Sequence, residues 1–111
     1  MSIINIAMQY TKNPGGRFRT EGEYSGEDFR ETILKREYEI SKKNKEDLIV
    51  NLDGGYGYGS SFLEESFGGL VRTIDDVDIS IIKIVSQEEP QLKEDVENYL
   101  KAAIVKKGGS I

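Results

Sequence analysis

The residues best placed to do chemistry are Ser60 and Ser61. They follow a loop with glycine at Gly54, Gly55, Gly57 and Gly59, and that loop follows the run Leu48-Ile49-Val50-Asn51-Leu52. Glycine lets backbone take positive φ and bring its N–H groups close to a ligand or partner. A strand, a glycine turn, a hydroxyl and then a helix put both serines at the positive end of a helix dipole. An anion or a transferred phosphoryl group is stabilised there. Serine is also a favoured N-cap, and spacing alone leaves both readings open. Gly54 and Gly59 have the spacing of a phosphate-binding loop, with Ser61 at its hydroxyl position. Ser60 stands where that loop has lysine, so the charge that neutralises the β- and γ-phosphates is missing.

Arg17 and Arg19 are the second candidates. On a short strand over Arg17-Phe18-Arg19 they share one face. With Gly57 and Gly59 they would make an anion cradle; on a solvated edge they only blunt aggregation. Tyr56 and Tyr58 sit within the glycine loop. A docking surface leaves such rings exposed as interface anchors, whereas plain loop packing buries them.

The chain has no histidine and no cysteine. Thiol nucleophiles, disulfides, imidazole general bases and a Ser-His-Asp triad are therefore excluded within it. Asp75, Asp76 and Asp78 lack the spacing and glycine of a calcium-binding loop. No catalytic residue, metal or cofactor is assigned, and the chain reads as a non-enzyme. Net charge is −5, and it is uneven: residues 1–45 carry 9 basic and 7 acidic groups, residues 46–111 carry 6 and 13. An acidic surface argues against nucleic acid or an anionic membrane as partner. No apolar run reaches the roughly 20 residues of a membrane span. The start, MSIINIAMQY, lacks the basic flank of a signal peptide, which makes a cytoplasmic location the expectation.

The elements that must position these residues follow from periodicity. Ile4, Ile6, Met8 and Tyr10 alternate, predicting a strand over Ile3 to Tyr10. Ser25-Gly26-Glu27-Asp28 has the form of a capping box and starts a helix to about Asn44. Its apolar stripe is Phe29, Ile33, Arg36 and Ile40, widened by Leu34 and Tyr38. The central strand over Leu48 to Leu52 reads as buried on both faces. The next helix runs from Phe62 to about Arg72, with Phe62, Leu63, Phe67, Leu70 and Val71 inward and Glu64, Glu65 and Arg72 in solvent. Gly68-Gly69 inside it costs on the order of 1 kcal/mol per glycine and points to close packing or an early stop. Ile79 to Val85 is another strand, Pro90 opens a last helix, and Gly108-Gly109 closes it. The order predicts one α/β domain over residues 1–111, with a small mixed four-stranded sheet and about three helices.

Four signatures resemble a known family. They are Gly16-Arg17; Ser25-Gly26-Glu27-Asp28-Phe29-Arg30; Gly57-Tyr58-Gly59-Ser60-Ser61-Phe62-Leu63-Glu64-Glu65; and Phe67-Gly68-Gly69-Leu70. The chain resembles the STAS-like domain of unknown function, which is related to the STAS domain of bacterial anti-sigma factor antagonists. The resemblance implies a signalling module in a partner switch. The implied partner is a histidine-kinase-like ATPase, and the implied phosphorylation site is Ser60. The aspartate that precedes the serine in STAS domains is Gly59 here. The implied interaction surface is Tyr56, Tyr58, Ser60, Ser61, Glu64 and Glu65. The alternative is a small-molecule or nucleotide site built from Arg17, Arg19, Gly57 and Gly59. Self-association through an edge strand, giving a homodimer, is a third expectation.

Overall fold

Three runs rich in β-branched residues form the sheet. The computed structural model describes residues 2–108. Strands β1 (Ser2–Asn5), β2 (Leu48–Asn51) and β3 (Ile82–Val85) pair in the order β1-β2-β3, all parallel. Ile4, Val50 and Ile84 lie in register and are buried. The adjacent row is Ile3, Ile49 and Lys83, of which Ile3 and Lys83 are exposed. The central strand is thus buried on one face only, not on both. Topology supplies the reason: two right-handed crossovers that advance in one direction both lay their helices on the same side of the sheet.

The predicted mixed four-stranded sheet is corrected to three parallel strands. The missing strand is 17–19. There the Phe18 N–H is taken by Glu21 Oε1 at 2.7 Å and the Arg19 N–H by Glu27 Oε1 at 2.9 Å. A short 3₁₀ turn, Arg19–Glu21, follows. The carbonyls of Gly16 and Arg17 accept from Gly26 and Glu27, so this segment docks on the start of a helix instead of a sheet edge.

The first strand is also shorter than its alternation predicts. The Asn5 side chain accepts from the Met8 N–H at 2.9 Å and caps a short helix, α1 (Ile6–Gln9). Capping turns the chain and leaves Met8 exposed. Likewise Asp78 accepts from Ser80 and holds Ile79–Ile81 as a 3₁₀ turn, so β3 begins only at Ile82.

Helix α2 (26–43) starts where its capping box predicts, with Ser25 Oγ accepting from the Asp28 N–H at 3.0 Å. Its middle, Arg30–Leu34, is π-helical between α-helical Gly26–Phe29 and Lys35–Lys43. The Thr32 hydroxyl donates to the Asp28 carbonyl four residues back, competing with the normal ladder. The wider turn moves the inward stripe to Phe29, Leu34, Tyr38 and Ser41. Ile33 is only half-buried, and Arg36 and Ile40 face solvent.

Helix α3 (60–73) has the same build: Ser60–Leu63, π-helical Glu64–Gly68, then Gly69–Thr73. Helix α4 (Pro90–Lys106) has proline in its first turn. Gly108, with φ of 90°, follows it; Gly109 lies outside the described residues. Phe29, Phe62, Phe67, Leu70 and Val96 close the core over β2 and β3. Among the described residues no helix is long and apolar enough to cross a membrane.

Candidate functional site: the glycine loop and its helix

The loop 52–59 leaves the C-terminal end of β2 and is tied to both neighbouring loops. Leu52 N–H donates to the Val85 carbonyl at 2.8 Å. The Asp53 carboxylate accepts from the N–H groups of Gln87 and Glu88 at 3.1 and 3.0 Å. Gly54 N–H donates to Glu88 Oε1 at 2.8 Å, and Tyr56 N–H to the Lys12 carbonyl at 2.8 Å. Gly54 and Gly57, with φ of 96° and 133°, hold backbone that other residues adopt only with strain. The loop is therefore a shaped surface at the carboxyl ends of parallel strands, where open α/β sheets carry their sites.

The helix cap is not a serine. Gly59, in extended conformation, is the N-cap of α3 and offers no side chain for capping. Ser60 and Ser61 are the first two helical residues, and both are exposed. They stand at a helix start that has no side-chain cap bond. The two tyrosines part company. Tyr56 is 83% exposed, while Tyr58 is half-buried with its ring 6.0 Å from the Phe62 ring. The Tyr58 hydroxyl is buried with no hydrogen-bond partner among the described residues. Burial, reinforced by the negative charges of Asp53 and Glu88, pushes it up to about 12.

Glu64 and Glu65 do not face solvent as a pair. Arg17 Nη1 lies 2.6 Å from Glu64 and 3.1 Å from Glu65. Arg72 reaches Glu64 at 2.8 Å. Arg30, buried, donates to the Glu65 carboxylate at 2.5 Å and to the Glu65 carbonyl at 3.0 Å. Glu65 is itself buried, at 8% exposure, which corrects its expected solvent position. The bonds from Arg72 and then Arg17 outweigh desolvation and hold the Glu64 carboxyl down to about 2.

This ion cluster explains Gly68-Gly69. A Cβ at Gly69 would overlap Arg30 Nη1, and one at Gly68 would overlap Glu64 Oε2. Gly26 plays the same part between the helices: a Cβ there would meet the Phe62 carbonyl at 2.5 Å. Ser66 Oγ donates to the Phe62 carbonyl at 2.8 Å and to that of Gly26 at 3.3 Å, tying α3 to the start of α2. The helix that carries Ser60 and Ser61 is thus braced from outside by Arg17 and Arg30, while its own Arg72 closes on Glu64. Spacing gave no sign of Arg30 or Arg72 as partners of Glu65 and Glu64; the double glycine mid-helix was the one available signal.

Arg17 and Arg19 diverge. Arg17 serves the cluster, whereas Arg19 pairs with Asp28 at 3.0 Å. Asp28 also accepts from the Tyr10 hydroxyl at 2.6 Å, and burial together with that bond raises the Tyr10 phenol. Each arginine of the anion-cradle reading already has a carboxylate. Beside Gly55 and Gly57 the cavity measures about 20 Å³, room for about one water and no larger ligand.

A family model described as a STAS-like domain of unknown function matches residues 25–91. The matched stretch runs from the Ser25 cap of α2 to the start of α4 and contains the glycine loop and most of the ion cluster. No curated protein and no solved structure matches the chain.

Proposed function

This chain belongs to the family of STAS-like domains of unknown function, and on that premise we propose that it is a non-enzymatic regulatory module that docks a protein partner through the glycine loop and the start of α3. The observation that carries the reading is the exposure of Tyr56, on a loop tied to both neighbouring loops, and of Ser60 and Ser61 at the helix start that follows, beside a cavity too small for a ligand. A large aromatic held outward on a preorganised surface loses little entropy on binding and is a frequent interface anchor.

The partner this reading favours is a histidine-kinase-like ATPase, with Ser60 as the phosphoryl acceptor. Ser60 is exposed at the positive end of a 14-residue helix, so an added phosphate costs the fold nothing and changes the contact surface by about −1.5 to −2 charges. The departure at Gly59 bears on the chemistry alone, since docking needs no carboxylate there. Calorimetric titration with the ATPase tests the proposal. Wild type should bind, and Tyr56→Ala should bind at least tenfold more weakly with an unchanged melting transition. Equal affinity in the two proteins would remove the loop from the interface and sink the reading.

A further inference from the structure

A second concavity lies away from the glycine loop. It is a groove of about 520 Å³ between the 77–83 segment, which leads into edge strand β3, and the C-terminal half of α4. Leu100 and Ile82 form its buried floor, and Ile79 and Ile104 are half-buried at its sides. Its rim is charged on both walls. The strand wall carries Asp78 and Lys83; the helix wall carries Glu97 and Lys101. Among the described residues none of these four has an ion-pair partner.

We infer that this groove is the interface of a twofold homodimer in which α4 packs antiparallel on α4 of a second copy. Charge complementarity selects the occupant. The chain carries −5, so two copies repel on average. This rim offers one acid and one base on each wall, and a uniformly basic or acidic partner gains nothing from it. Glu97 and Lys101 stand about one helical turn apart. Reversing the helix direction sets each Glu97 against the partner subunit's Lys101, twice over, while the apolar floor is covered. An isologous contact requires this self-matching of a single patch.

The dimer leaves both glycine loops open, because they leave the opposite end of the parallel sheet. One dimer therefore presents two docking loops, and a partner with two contact points gains avidity without any new contact.

Analytical ultracentrifugation of wild type, Glu97→Lys, Lys101→Glu and their equimolar mixture tests the inference. Wild type should sediment as a dimer. Each single variant places like charges face to face and should weaken dimerisation about tenfold or more. The mixture should recover the dimer, because the charges of the two variants match each other. Glu97→Gln and Lys101→Gln give the same test at lower amplitude if a reversal impairs folding. Monomeric wild type across the concentration series, single variants that dimerise as wild type does, or a mixture that fails to recover would each overturn it.

Discussion

Two acidic regions flank the start of α3, and they are handled in opposite ways. Behind the helix, Glu64 and Glu65 are gripped by Arg17, Arg30 and Arg72. In front, Asp53 and Glu88 are held by backbone N–H groups, and among the described residues no cation pairs with them. The first arrangement locks two helices and a loop together around buried charge. The second shapes a loop but leaves its negative charge in place, near enough to the Tyr58 phenol to help raise it. The same residue types thus brace one side of the site and present the other.

The comparison breaks most sharply at Glu65. Glu65→Ala takes from the Arg30 guanidinium its buried carboxylate and leaves it only the half-exposed Glu31 at 2.8 Å, so the loss should approach the about 3–5 kcal/mol of a broken buried pair. Urea denaturation should show that loss. An equivalent change in front, Glu88→Ala, removes one bond to a backbone N–H at an exposed site and should cost about 0.5–1.5 kcal/mol. Equal losses at the two positions would mean that the arginine cluster is no more structural than the loop. The double variant Arg30→Met with Glu65→Leu should recover much of the loss, since a well-packed apolar pair often replaces a buried ion pair without penalty.

Acid titration sharpens the same contrast. The Glu64 carboxyl is depressed from an ordinary value of 4.5 to about 2 by Arg72 and Arg17. A folded value below the unfolded one contributes stability that is complete above the unfolded value. It is lost as pH falls from about 4.5 through about 2. Wild type should therefore lose stability steadily across that window, and Glu64→Gln should give a shallower slope there. Parallel slopes in the two proteins would show that the arginine contacts do not select the charged form.

Much of this could be read from the chain, and what could not has physical causes. Ser25 and Pro90 mark helix starts because capping and proline geometry are local. The double glycine, the serine pair and the motif runs likewise lie within a few residues of one another. The inward stripe of α2 could be read at Phe29, Leu34 and Tyr38 but not at Ile33, Arg36 and Ile40, because a hydroxyl at Thr32 widens the turn and periodicity assumes a constant one. The 17–19 strand failed because Glu21 and Glu27, several residues on, capture its backbone donors. The ion cluster joins positions 17, 30, 64, 65 and 72, which only the helix crossing at Gly26 brings together.

The smallest expected effect is at Ser60, and it isolates surface from fold. Ser60 occupies the first helical position and caps nothing, because Gly59 holds the N-cap. Ser60→Ala should then change stability by no more than a few tenths of a kcal/mol, well short of the roughly 0.5–2 kcal/mol that loss of a true serine cap costs. Ser60→Asp should be neutral or slightly stabilising, since a carboxylate complements the helix dipole. The true cap position offers the matching control. A Cβ at Gly59 meets nothing within 4 Å, and its φ of −74° suits any residue. Gly59→Asp should therefore stabilise α3 by a few tenths of a kcal/mol, because aspartate caps better than glycine. It also puts back the carboxylate that STAS domains carry before the serine. If docking is switched by charge at this face, Ser60→Asp should weaken partner binding with an intact melting transition, while Ser60→Ala binds as wild type does. Identical affinity in wild type, Ser60→Ala and Ser60→Asp would leave Ser60 as an exposed helical residue with no switching role. A loss of about 1 kcal/mol in Ser60→Ala would instead return the capping role to the serine and move the functional surface toward Tyr56.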